Sequence, residues 1–145
     1  MRMDAMVIIE HTVETIASTK AIWKIWEDVE SWKSWDHEIE WSQKDGPFKI
    51  NTTGRLKPKG GPVANFILTE VIPFKKFVDV TKFPLIRLVF SHFLKAYKGK
   101  TTITHRIEMF GLLSFFFAFV IGRSMKKSLP IAMQNLIKKA ETICD

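Results

Sequence analysis

Apolar residues in this chain change their spacing once, near Gly111, and that change constrains the fold more than any other feature. Before it, hydrophobic and polar residues alternate in short runs separated by turn chemistry. Residues 7 to 15 put Val7, Ile9, His11 and Val13 on one face and Glu10, Thr12 and Glu14 on the other, as a half-buried strand requires. After it, Leu112, Phe115, Phe119, Gly122, Met125, Leu129, Met133, Leu136, Ala140 and Ile143 recur at three- and four-residue steps. The second pattern predicts one helix from Leu112 to Ile143, about thirty residues and roughly 48 Å long. Pro130 lies inside it, lacks a backbone donor and is expected to kink it.

Between the first strand and the meander, Ser18 or Thr19 is placed to cap a short helix reaching about Asp28, with Ile22, Trp23, Ile25 and Trp26 on its apolar side. A second helical turn is expected over Glu30 to Trp35. From Glu38 to Gly111, turn signals at Asp45-Gly46-Pro47, Lys59-Gly60-Gly61-Pro62, Pro73, Pro84 and Lys98-Gly99 divide the chain into about six further strands. The strands flanking the first of these turns are expected at 38–44 and 48–56. If Lys98-Gly99 is a two-residue hairpin loop, cross-strand partners on 86–97 and 100–110 have numbers that sum to 197. Leu88 then faces Met109, Phe90 faces Ile107, Leu94 faces Ile103, and His92 faces His105, so all the apolar pairs share one face. The expected class is α+β: a curved antiparallel sheet of about seven strands around a long C-terminal helix, with two short helices after the first strand.

A chain of 145 residues fits one domain, read here as 1–145, that buries roughly 68–70% of its unfolded surface. No stretch reaches the roughly 18 consecutive apolar residues of a membrane span, and Met1 to Glu10 lacks the order of a secretory signal. The expectation is a cytoplasmic protein without stable membrane insertion, peripheral contact remaining open, as monomer or homodimer. The single Cys144 excludes an intrachain disulfide and a thiol-rich metal site. The net charge of +7 comes from scattered lysines at strand ends and helix faces, which reads as solvated surface; no nucleic-acid partner is expected.

The order of elements resembles the START-like or SRPBCC superfamily, with its polyketide cyclase/dehydrase-like and pollen-allergen-like branches. The segment Ala21-Ile22-Trp23-Lys24-Ile25-Trp26-Glu27-Asp28 with Trp32 and Trp35 is similar to that family's tryptophan-rich helical segment. Gly99 to Gly111, Ile121-Gly122-Arg123 and Leu129-Pro130 are similar to its last strand and helix. The resemblance covers nearly the whole chain and implies the helix-grip fold with an internal cavity for an apolar molecule. The glycine-rich loop of the allergen-like branch is absent after Asp45-Gly46-Pro47, so no phosphate or hormone role is carried over.

The candidate site follows from the inward phase of the strands. His11, His92 and His105 fall on three strands near one another, and Phe90 and Ile107 flank them. As alternatives these histidines are satisfied core residues, ligand contacts, acid–base groups or, last in order, a zinc site, since nothing in the sequence puts His11 level with the other two. Facing each other in an apolar interior, His92 and His105 are expected to resist protonation. Trp23 and Trp26 read as packing, while Trp35 and Trp41, beside His37, read equally as packing or ligand contact.

Phe115, Phe116, Phe117 and Phe119 make the helix start apolar nearly all round. Lining of the cavity by Phe115, Phe119 and Met125 comes first among the readings, then a dimer face, then a membrane contact edged by Arg123, Lys126 and Lys127. Glu70, Asp79 and Glu108 lie within strands without a paired acid, and no nucleophile elbow, phosphate loop or dinucleotide fingerprint occurs. No metal and no cofactor is expected. The leading function is binding or transport of a hydrophobic small molecule of lipid, polyketide or aromatic type. A cyclase/dehydratase-like enzyme using a cavity histidine is the alternative, and an adaptor acting through the Phe-rich helix start is the third reading.

Overall fold

The computed structural model describes residues 7–143, so Cys144 lies outside the described residues. β1 (Val7–Thr15) leads to α1 (Thr19–Glu27) and a 3₁₀ helix (Val29–Ser34). Six strands follow: β2 (Ile39–Lys44), β3 (Thr53–Pro58), β4 (Ala64–Ile72), β5 (Lys76–Phe83), β6 (Ile86–Tyr97) and β7 (Lys100–Phe110). The chain ends in α2 (Ser114–Phe117), a π-helical stretch (Ala118–Gly122) and α3 (Arg123–Glu141). The seven strands form one curled antiparallel sheet in the order β1-β7-β6-β5-β4-β3-β2, and the C-terminal helix lies in its concave side, which is the helix-grip fold.

Local chemistry explains the joints. The Ser18 side chain accepts a hydrogen bond from the Ala21 N–H at 3.0 Å and so caps α1. Lys98 and Gly99 have φ of 48° and 77°, the left-handed pair that a two-residue hairpin loop needs. The β6–β7 register follows: Leu88 faces Met109, Phe90 faces Ile107, His92 faces His105 and Leu94 faces Ile103. Asp45-Gly46-Pro47 opens a longer connection than expected, and β3 begins at Thr53, not at residue 48. Between Leu68 and Glu70 the β4–β5 register shifts by one residue. This bulge lets both Leu68 and Val71 face inward while Glu70 faces out to pair with Lys76.

The long helix departs from expectation in one respect. It spans 114–141, but its regular α geometry is interrupted at Ala118–Gly122, while α3 continues through Pro130. At its far end α3 is tied down by Asn135, whose Nδ2 donates to the Trp35 carbonyl at 3.2 Å. Thr15 Oγ1 makes a second tie, donating to Glu141 at 3.1 Å.

Two apolar clusters fill the grip. The larger joins α1, the 3₁₀ helix and α3 to the sheet and contains Trp23, Trp26, Trp32, Trp35, Phe66 and Phe77. The smaller contains Ile9, Ile86, Leu88, Ile107 and Met109, with Phe90, Leu113, Ala118, Met125 and Leu129 packed on it. Outward-facing charges pair across strands, as in Glu10–Arg106, Glu14–Lys100 and Glu40–Lys57. These exposed pairs contribute about 0–1 kcal/mol each and chiefly keep that face solvated.

Candidate functional site

The register places the three histidines in one line on the concave face: His11 opposite His105 on β7, His105 opposite His92 on β6, and His92 opposite Phe77 on β5. The next line is Ile9, Ile107, Phe90, Asp79 and Leu68. Asp79 is therefore a diagonal neighbour of His92, a relation that puts Cα atoms roughly 7–8 Å apart. The histidine line has apolar residues on both sides, Ile103 and Leu94 belonging to the larger cluster and Ile107 to the smaller.

The rings on this line are closely packed. His92 stacks on Phe77 at 3.9 Å between centroids and meets His105 edge-on at 4.7 Å. Trp26 stands 5.6 Å from His92 and 5.7 Å from His105, and Trp35 stands 6.1 Å from His105. Where an internal cavity was expected beside the histidines and tryptophans, these rings occupy the space. Two open indentations of about 390 and 380 Å³ lie elsewhere, one lined by Lys24, Asp28 and Lys44, the other by Asp45, Arg55 and Lys82.

Polar atoms on this wall are incompletely paired. His92 Nδ1 lies 3.4 Å from the Phe77 carbonyl; the carbonyl accepts, so Nδ1 carries the proton and Nε2 presents a lone pair. His105 Nε2, Trp26 Nε1 and Trp35 Nε1 are buried without a partner. Leaving such a group unmet costs about 1–3 kcal/mol. Asp79 is buried at 6% exposure between Phe90 and Leu68, and among the described residues it makes no hydrogen bond or ion pair.

Burial determines the protonation of these groups. Desolvation, then repulsion from His11, drives His105 down to about 3. Desolvation, then repulsion from His105, holds His92 well below the ordinary imidazole value, against a smaller opposing effect of the Phe77 carbonyl. Both imidazoles are neutral at pH 7. Desolvation alone pushes Asp79 up to about 8, so its carboxyl is largely protonated there and acts as a hydrogen-bond donor.

His11, Phe90, His92, His105 and Ile107 thus come together. Phe90 and His92 are half-buried although they point inward from a central strand, so this part of the concave face is reachable from solvent. His11 is level with the other two histidines, a placement the sequence left open, and among the described residues no group of three or more His, Cys, Asp or Glu is arranged to hold a metal ion. Trp35 borders the line through His105 and is 5% exposed within the larger cluster.

Three expected lining residues are placed differently. Trp41 alternates with Ser42, whose hydroxyl donates inward to the Val29 carbonyl, so Trp41 points to the opposite face of edge strand β2. Phe115 and Phe119 are 65% and 81% exposed. The stripe that packs on the sheet is Leu113, Ala118, Met125 and Leu129, which turns these phenylalanines outward. Met125 is half-buried on the smaller cluster, where lining was expected.

No family profile matches the sequence, and no curated protein matches it. Solved structures do match. A START superfamily protein from Mycobacterium smegmatis is 15% identical with a TM-score of 0.72, over 94% of this chain and 99% of that one. The ZhuI aromatase/cyclase from Streptomyces sp. R1128 is 11% identical with a TM-score of 0.74, over 93% of each chain. A hypothetical protein from Helicobacter pylori is 9% identical with a TM-score of 0.77, over 92% of this chain and 88% of that one. At these identities the likeness is one of fold: a START-like helix grip.

Proposed function

We propose that this chain binds an apolar small molecule carrying an oxygen acceptor, on the concave face bounded by Phe90, Ile107 and the histidine line. One observation carries the reading: Asp79, neutral and unpaired, stands diagonal to His92 in a row whose other members, Ile9, Ile107, Phe90 and Leu68, are apolar. A protonated carboxyl in such a place donates to a carbonyl or hydroxyl oxygen, while the surrounding rings supply the contact area. A START superfamily protein and aromatase/cyclases among the structural neighbours agree with this class of molecule.

The probe pair 9-fluorenone and fluorene separates the two parts of the claim, because the molecules share a tricyclic skeleton and differ in the carbonyl. Isothermal titration is expected to show fluorenone binding at least about fivefold tighter than fluorene, the worth of about one hydrogen bond. Asp79→Leu should erase the difference and Asp79→Asn, which keeps a donor, should preserve it. Equal affinities in the wild type, or a difference that survives Asp79→Leu, would remove Asp79 from the site.

A second reading has a specific observation in its favour. His92 Nε2 is a bare lone pair and Asp79 a protonated acid, two neighbouring groups whose environments push their pKa values in opposite directions, as in acid–base pairs. On this reading His92 takes a proton from an activated carbon and Asp79 donates to the oxygen, the pattern of a cyclase/dehydratase. His92→Gln decides: a binding protein keeps its ligand affinity, whereas an enzyme keeps affinity and loses turnover.

A further inference from the structure

The helix start and a neighbouring turn expose a continuous apolar surface that neither the core nor the concave face uses. Leu112 and Phe119 are each 81% exposed, Phe115 is 65% and Val120 is 57%. Leu85, 59% exposed, sits at the tip of the β5–β6 turn with φ of 65°. The Leu113 N–H donates to the Leu85 carbonyl at 3.1 Å, which fastens this turn to the helix start and makes the two exposed regions one surface. Five large apolar side chains so displayed are more than scattered surface hydrophobics.

The charges around it are of one sign. Lys82 and Arg87 flank the turn, and Arg123, Lys126 and Lys127 follow the helix start; all five are exposed. Across residues 80–140 the sequence has eleven Lys and Arg and one acid, Glu108. A two-fold contact between copies of this chain would bring this cationic rim against itself, because a symmetric interface apposes a patch with its own copy. An acidic sheet of lipid headgroups over a hydrocarbon layer complements both features.

We propose that this end of the grip, Leu85 with Leu112, Phe115, Phe119 and Val120, docks on an anionic lipid surface, the apolar side chains entering the headgroup–acyl boundary and the cations meeting lipid phosphates. The chain lies on the bilayer without crossing it: among the described residues no helix is long and apolar enough to span one. The packed side of the same helix segment, Leu113, Ala118 and Met125, covers the smaller apolar cluster next to Phe90. Docking therefore sets the candidate binding face beside the bilayer, although the docking itself does not depend on any ligand being bound there.

Flotation of the purified full chain with phosphatidylcholine vesicles, with and without phosphatidylglycerol, tests the proposal. The wild type is expected to float with the anionic vesicles, and less so as salt is raised. Phe115→Ser with Phe119→Ser should lower partitioning by at least about tenfold per ring. Lys126→Gln with Lys127→Gln should lower it by about fivefold per charge. Because these side chains are exposed, the circular dichroism melt of each variant should match the wild type, which separates lost docking from lost folding. Wild type that stays in the bottom fraction, or that floats as well after both Phe replacements, overturns the proposal. A dimer on a sizing column that becomes monomer in the Phe115→Ser, Phe119→Ser variant also overturns it, because the surface then belongs to a second copy.

Discussion

Acidifying the protein from pH 6.5 to pH 5 sets the histidine line against Asp79. His105 titrates near 3 when folded and at about 6.5 when unfolded. A lowered folded pKa means that the unfolded chain takes the proton first, so its stability contribution is full above pH 6.5 and is lost as pH falls toward 3. Over this interval the loss is about 2 kcal/mol for His105, and His92, lowered by burial and by His105, contributes with the same sign. Asp79 acts oppositely. Its folded pKa of about 8 lies above the unfolded value of about 3.9, so its contribution is full below 3.9 and is lost as pH rises through 8. Between pH 9 and 6.5 it therefore raises stability by about 2 kcal/mol, and between 6.5 and 5 by about 2 kcal/mol more.

From pH 6.5 to 9 the loss at Asp79 predicts a fall in stability of about 2 kcal/mol, whereas from 6.5 to 5 the His105 loss and the Asp79 gain offset each other and the curve is nearly level, tilted downward by His92. Asp36, raised by burial, contributes with the same sign as Asp79. Urea denaturation at intervals from pH 5 to 9 measures the curve directly. Asp79→Asn should flatten the alkaline limb and uncover an acid loss of at least about 2 kcal/mol between pH 6.5 and 5, whereas His105→Gln should raise stability at pH 5 relative to pH 6.5 by about 2 kcal/mol compared with the wild type. A wild-type curve still rising from pH 6.5 to 9, or an Asp79→Asn curve parallel to it throughout, would refute the placement of these groups.

Other outcomes follow from packing. Trp26, fully buried against Phe77 and both histidines, should lose about 3–5 kcal/mol as Trp26→Ala in the same urea assay; a loss under 1 kcal/mol would mean that the rings are not closely packed. A Cβ at Gly54 would lie 2.3 Å from Phe66 Cζ and 2.6 Å from the Gln43 carbonyl oxygen, so Gly54→Ala should destabilise by about 1–3 kcal/mol. Gly46, with nothing within 4 Å of its added Cβ, is the control, and Gly46→Ala should stay within about 0.5 kcal/mol of wild type.

The histidine pair was legible in the sequence because Lys98-Gly99 leaves one hairpin register in which every apolar pair shares a face. The level of His11 was not, since β1 pairs with β7 only in the assembled sheet and no local turn relates them. Asp79 escaped for a different reason. On β5 the phase Phe77, Asp79, Thr81, Phe83 and the phase Lys76, Val78, Val80, Lys82 each hold two apolar residues, so alternation cannot say which faces inward. The pairing of β5 with β6 decides it. At the helix start, side chains apolar all round gave no stripe to orient, and only the packing of Leu113, Ala118 and Met125 shows that Phe115 and Phe119 face out.

The most direct test of the binding claim is where a ligand lands. Two-dimensional NMR of the labelled protein titrated with 9-fluorenone should shift the backbone amides of Asp79, Phe90 and Ile107 and the ring signals of His92 and His105 together, with one saturation curve. Shifts confined to the open indentation at Lys24, Asp28 and Lys44, with the histidine rings and Asp79 unmoved, would contradict the account.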